Sequence, residues 1–238
     1  MSSFLRMHTT EQLLQALDRV VAASDRGDRS GRDAADFWTD LLTRKGHPLA
    51  TDLPDEPLVD WHERNLLGPL QGARVLDIGC GGGRNTRYLA AQGATVHGVD
   101  LAADLLDRVR PDFPATVSLT ALDILRDPLP GTNYDLIYDS GCFHHIAPHR
   151  RITYLDRILP ALAPGGRFAI ITFATGQVDT PTDQEVLISG DTAGGMAFSL
   201  EDLRNIFTPL TPIDLRPVRE DRPNAFAPTF LNAALFTK

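Results

Sequence analysis

Val75-Leu76-Asp77-Ile78-Gly79-Cys80-Gly81-Gly82-Gly83-Arg84 decides how this chain is read: an apolar run with one acid, followed by a turn built largely of glycine. Glycines at 79, 81 and 83 clear β-carbons from a tight turn, so a ligand can lie on bare backbone and against the start of the next helix. A nucleotide-like ligand follows. Position 84 is Arg, where a dinucleotide fingerprint needs a third glycine or alanine. Asp77 before the turn repels phosphate and attracts an ammonium, which argues against NAD. Twenty-one residues after Gly79, VHGVD ends on Asp100, placed at a strand tip to accept from the two hydroxyls of a ribose. A third acid, Asp123 in TALDIL, follows the next strand and suits the exocyclic amine of a purine.

Outward from this turn, RVLDIG, NTRYLAAQG, ATVHGVD and LAADLLDRVR alternate as strand, helix, strand, helix. Further strands are expected at 116–120, 134–138, 167–173, 213–219 and 229–237, with helices at 148–162 and from Ser199. The fold class is α/β, a Rossmann-like, mostly parallel sheet with helices on both faces. Helices expected from Thr9, over 34–44 and over 56–67 make residues 1–70 an N-terminal helical cover on a core at 71–238. The charged stretch 24–34 reads as a loop or mobile linker. The segment 174–198 is long enough for a lid or short hairpin, with Met196 and Phe198 either closing an apolar pocket or tucked into the core.

Composition narrows the function. A 42% hydrophobic, 23% charged chain of 238 residues is globular, and Lys+Arg 23 against Asp+Glu 31 gives −8, which disfavours nucleic acid and anionic membranes. Two cysteines in unlike contexts, no signal-peptide pattern and no spanning apolar run suggest a reducing, cytoplasmic setting. No metal site is expected, because the consecutive His144 and His145 lack ligand spacing.

DIGCGGG, the strand-ending Asp100, Asp123 and LAPGGRFAII, in that order over residues 72–173, resemble the class I S-adenosylmethionine-dependent methyltransferases. The resemblance implies a seven-stranded sheet whose last strand, FLNAALFTK, is antiparallel. It implies S-adenosyl-L-methionine as cofactor, held by Asp77, Gly79, Cys80, Gly81, Asp100, Leu101, Asp123, Ile124 and Asp139. The loop 139–151 and the stretch 37–58 resemble the thiopurine and tellurite-resistance methyltransferases, which implies a small-molecule acceptor, secondary metabolism, and Trp38, Pro54 and Leu58 in a cover. A monomer or homodimer is expected.

The loop after the fourth strand should face the acceptor. His144 and His145 are the candidate catalytic residues: a thiolate or free amine needs no base, whereas a hydroxyl or carbon acid would need one of them. His149, Arg150 and Arg151 read as the solvated start of a helix, and Arg219 or Arg222 as partners for a substrate carboxylate. The alternative reading is a protein of the same fold that uses the cofactor for regulation or for a non-methylating reaction.

Overall fold

The computed structural model describes residues 7, 9–23 and 28–238; within the expected linker, residues 24–27 lie outside it. In chain order the elements are α1 (Thr10–Ala22), α2 (Ala35–Thr43), α3 (Glu56–Glu63), β1 (Arg74–Ile78), α4 (Arg84–Ala91), β2 (Thr95–Asp100), α5 (Ala103–Val109) and β3 (Val117–Ala121). They continue with β4 (Tyr134–Ser140), α6 (Arg151–Ala161), β5 (Leu162–Ala174), α7 (Asp183–Ser189), β6 (Ala197–Phe198), α8 (Leu200–Ile206), β7 (Thr211–Pro217) and β8 (Leu231–Thr237).

Seven strands run in the order β3-β2-β1-β4-β5-β8-β7, and the two-residue β6 pairs with β5. β8 is antiparallel to β5 and β7, and the pairs among β1 to β5 are parallel. The order reverses between β1 and β4, so the loops leaving these two strands diverge and open a crevice at their carboxyl ends.

Strand periodicity sorts side chains onto two faces. In β8, Ala234 and Phe236 join one core cluster with Tyr154, Ile158 and Phe207, while Ala233 and Leu235 join another with Trp61 and Leu89. Trp61 and Leu58 of α3 are fully buried, so this N-terminal helix is part of the layer on that second face. α3 stops at Glu63, short of the expected Leu67, with Asn65 in the left-handed region at φ 57°.

Helix starts follow their caps. Thr9 accepts from the Gln12 N–H at α1, and Ser199 and Asp202 form a reciprocal capping box at α8. The 174–198 segment is not a hairpin. It carries α7, opened by a Thr182/Glu185 capping box, and Met196 and Phe198 are core residues rather than a pocket closure.

His149, Arg150 and Arg151 are not solvated. All three are buried because α1 and α7 fold over them. Arg150 donates to both oxygens of Asp18 (2.9 and 2.6 Å) and to Glu11, His149 Nε2 lies 2.9 Å from Asp18, and Arg151 grips Asp183. No helix among the described residues is long and apolar enough to cross a membrane.

Candidate functional site

A cavity of about 600 Å³ lies where the strand order reverses. One half is lined by Gly79, Cys80, Gly81, Asp100, Leu101 and Ile124, six of the nine residues expected to hold a cofactor. The β1–α4 turn takes its shape from glycine. Gly79 has φ +66°, and a β-carbon there would meet Cys142 Cβ at 2.9 Å; at Gly83 (φ +79°) one would meet Phe113 at 2.4 Å. The turn therefore admits both a left-handed backbone and the close approach of the β4 loop.

Asp100 closes this half from the tip of β2. Its Oδ2 accepts from Gly81 N–H at 2.8 Å and its Oδ1 from Ala102 N–H at 2.9 Å. Burial raises its pKa, opposed by these same N–H donors. The Leu101 N–H acts on the same carboxylate, and of its roughly four acceptor sites at least one remains.

The other three expected acids do not line the cavity. Asp77 accepts from Thr86 Oγ1 at 2.5 Å, tying α4 to β1, and burial pushes its pKa up to about 7. Asp123 accepts from Leu125 N–H and Arg126, both at 2.9 Å. Asp139 accepts from the N–H groups of Cys142 (2.9 Å) and Phe143 (3.2 Å) and from Tyr154 Oη (2.6 Å), with its pKa raised to about 6 by burial. These carboxylates shape the turns that present Cys142 and Ile124, because a short acidic side chain readily caps N–H groups a few residues ahead of it.

Arg84 also reaches the cavity. Its guanidinium bonds Asp55 and, at 3.2 Å, Ser140 Oγ, and it lies 4.5 Å from the centre of the Phe226 ring. Asp55 in turn accepts from Asn85 (2.9 Å) and Tyr138 (2.7 Å).

The second half of the cavity holds His144 and His145 together with Trp38, Phe173, Phe230 and Arg29. His144 stacks on Phe173 with centroids 3.9 Å apart, and its Nε2 lies 3.0 Å from Nε2 of His145. His145 meets Trp38 edge-on at 4.7 Å. Burial drives the pKa of His144 well down and that of His145 to about 3, where the charge of Arg29 adds to the effect. Leu41, Leu42, His47, Pro48 and Leu49 complete the wall next to Trp38. Pro54 and Leu58, expected in that cover, do not line the cavity: Leu58 is in the core, and the Pro54 carbonyl accepts from Phe226 N–H.

Arg219 and Arg222 do not line it either, because the guanidinium of Arg222 is held by Glu63 and Asp60 of α3. The cation beside the second half is Arg29, from the stretch read as a linker, where nothing local marks it. Phe173, not among the expected site residues, has a legible signal: it sits at the carboxyl end of β5, the edge where α/β sheets bind ligands. Among the described residues no group of three His, Cys, Asp or Glu side chains could hold a metal ion.

Residues 75–166 match the methyltransferase domain family. A trans-aconitate 2-methyltransferase from Paracidovorax citrulli is 36% identical over 136 residues, 56% of this chain and 49% of that protein. The chain thus spans about half the length of curated relatives it matches. A TehB-like SAM-dependent methyltransferase from Corynebacterium glutamicum superposes with a TM-score of 0.57 at 26% identity, covering 87% of this chain and 96% of that one. A 1,6-didemethyltoxoflavin-N1-methyltransferase from Burkholderia thailandensis, solved with 1,6-didemethyltoxoflavin and S-adenosylhomocysteine, shares the fold at a TM-score of 0.60 and 24% identity, over 98% and 92% of the two chains. With its glycine turn, its acid at the tip of β2 and its antiparallel last strand, the chain carries a methyltransferase domain at residues 75–166 in a fold similar to that of S-adenosylmethionine-dependent methyltransferases.

Proposed function

We propose that this protein transfers the methyl group of S-adenosylmethionine to a small-molecule acceptor. The observation that carries the proposal is a single cavity with two unlike halves, a glycine turn facing Asp100 and an aromatic wall next to it. Asp100 suits a ribose, since its carboxylate has acceptor capacity beyond that used by the N–H groups of Gly81, Leu101 and Ala102. Leu101 and Ile124 offer apolar surface to an adenine, and Arg84 next to Ser140 offers donors to an amino-acid carboxylate. Asp77, Asp123 and Asp139 hold the turns in place from behind.

The bound cofactor supplies a methyl group on a sulfonium, open to in-line displacement by an acceptor's lone pair. The residues provide position and dryness. A wall formed by Trp38, Phe173 and Phe230 excludes water and limits how an acceptor can lie, which brings the reacting atoms into line. The acidic balance argues for a small molecule rather than nucleic acid, and two free cysteines agree with a reducing, cytoplasmic setting.

The reading is tested by incubating the protein with S-adenosylmethionine and fractionated small-molecule extracts and following S-adenosylhomocysteine. Acceptor-dependent product that disappears in Asp100→Ala is expected. Bound cofactor that is never consumed with any fraction would contradict transfer.

A further inference from the structure

The two histidines have no lone pair left for a substrate. The backbone N–H of Phe173 donates to His144 Nδ1 at 3.2 Å, so that nitrogen is an acceptor and the proton of a neutral ring sits on Nε2. That Nε2–H points at His145 Nε2, 3.0 Å away, which must then be the acceptor. The proton of His145 is thereby left on Nδ1, a buried nitrogen that faces residues 194 and 195 and has no hydrogen-bond partner there among the described residues. A proton added to His145 Nε2 would set N–H against N–H, and one added to His144 Nδ1 would displace the Phe173 N–H. The hydrogen-bond order therefore holds the pair neutral, and burial with the nearby positive charge of Arg29 acts in the same direction.

The same two rings are part of a continuous run of aromatic surface. Centroids lie 6.1 Å apart from Phe230 to Phe173, 3.9 Å from Phe173 to His144, 4.3 Å from His144 to His145 and 4.7 Å from His145 to Trp38. All five residues line the cavity. A run of rings favours flat, π-bonded ligands, which keep contact over a whole face.

We propose that the acceptor is a planar, π-bonded molecule whose nucleophilic atom already carries its lone pair at neutral pH, such as an aryl carboxylate, an arenethiolate or a heteroaryl nitrogen. His144 and His145 are positioning residues for the wall that receives it, and take no proton from it. This rests on the methyl-transfer reading and narrows its substrate. In the step, the acceptor's lone pair forms the new bond to the methyl carbon as the sulfur–carbon bond breaks, and the electron pair of that bond stays on sulfur as a neutral thioether. An anionic acceptor leaves as the neutral methyl derivative and no proton is released to the protein.

Two measurements decide the matter. The first is ring-nitrogen NMR of 15N-histidine-labelled protein from pH 5.5 to 8.5, assigned with His144→Gln and His145→Gln. The expected result is a proton on Nε2 of His144 and on Nδ1 of His145, with no titration in that range. A midpoint between pH 6 and 8 in either ring, or the opposite tautomer, would overturn the relay.

The second is calorimetric titration of the S-adenosylhomocysteine-loaded protein with 1-naphthoate and with its saturated decahydro analogue, which has the same charge. At least tenfold tighter binding of the planar acid is expected, with the preference lost in Phe173→Leu. Equal affinities, or no binding of either acid, would overturn the substrate class. Failure of the protein to load S-adenosylhomocysteine would instead contradict the methyl-transfer reading, and the NMR result would still decide the state of the histidines.

Discussion

Asp100, at the tip of β2, accepts a 2.8 Å hydrogen bond from the backbone N–H of Gly81, in the turn that follows β1. One carboxylate therefore fixes the glycine turn and presents its remaining lone pairs to the cavity. Asp100→Ala is expected to weaken S-adenosylhomocysteine binding by more than tenfold, about 1.4 kcal/mol or more, through lost charge-assisted hydrogen bonds and a slackened turn. Unchanged affinity by calorimetry would remove Asp100 from the site.

Gly79→Ala tests the turn itself. The left-handed backbone alone costs a β-carbon about 1–2 kcal/mol. The 2.9 Å approach to Cys142 Cβ adds to this and forces the β4 loop outward. A lower melting temperature together with weaker cofactor binding is expected. Full retention of both would show that the turn tolerates a side chain.

The histidine pair makes stability depend on pH. Both pKa values are lower in the folded protein than the ordinary histidine value near 6.5, that of His145 at about 3, so below pH 6.5 the unfolded chain binds more protons than the folded one. Stability is then full above pH 6.5 and falls as pH drops below it. At pH 5.5 the loss amounts to about 1 kcal/mol for each ring. Urea denaturation at pH 7.5 and 5.5 measures this, and His145→Gln should show a smaller fall than the wild type. An equal fall in the variant would mean that His145 is not held neutral.

Asp18 fastens α1 through Arg150 and His149. Its pKa falls to about 2, since the bonds from Arg150 and His149 outweigh the opposing, larger single effect of burial. A depressed carboxyl contributes stability above its unfolded value near 4 and loses it as pH falls toward 2. Asp18→Asn should therefore cost about 1–2 kcal/mol at neutral pH, discounted for partial exposure, and nothing near pH 2. Hydrogen exchange in α1 should rise in the variant at pH 7. Protection unchanged from wild type would show that α1 is held by its apolar face alone.

Local sequence carried the strands, the glycine turn and the caps of α1 and α8, because strand alternation and capping act over a few residues. The helix α7, in place of the expected lid or hairpin, has a local signal too, since Thr182 and Glu185 have the spacing of a capping box. What escaped was set by distant chain. His149 and Arg150 look like a solvated pair until α1, more than 125 residues earlier, covers them. Arg29 reaches the cavity from a stretch with no periodicity, across from Gly194. Asp123 and Asp139 stood at strand ends suited to a ligand, yet N–H groups two to four residues ahead lie close enough to claim their oxygens.

The central claim is that the half of the cavity between Gly79 and Asp100 holds an adenosine sulfonium without phosphate. Calorimetric titration of the purified chain with S-adenosylmethionine, and separately with NAD, tests it most directly. One S-adenosylmethionine per chain with a dissociation constant below about 100 µM is expected, with no measurable heat from NAD. No binding of S-adenosylmethionine, or tighter binding of NAD, would contradict the account.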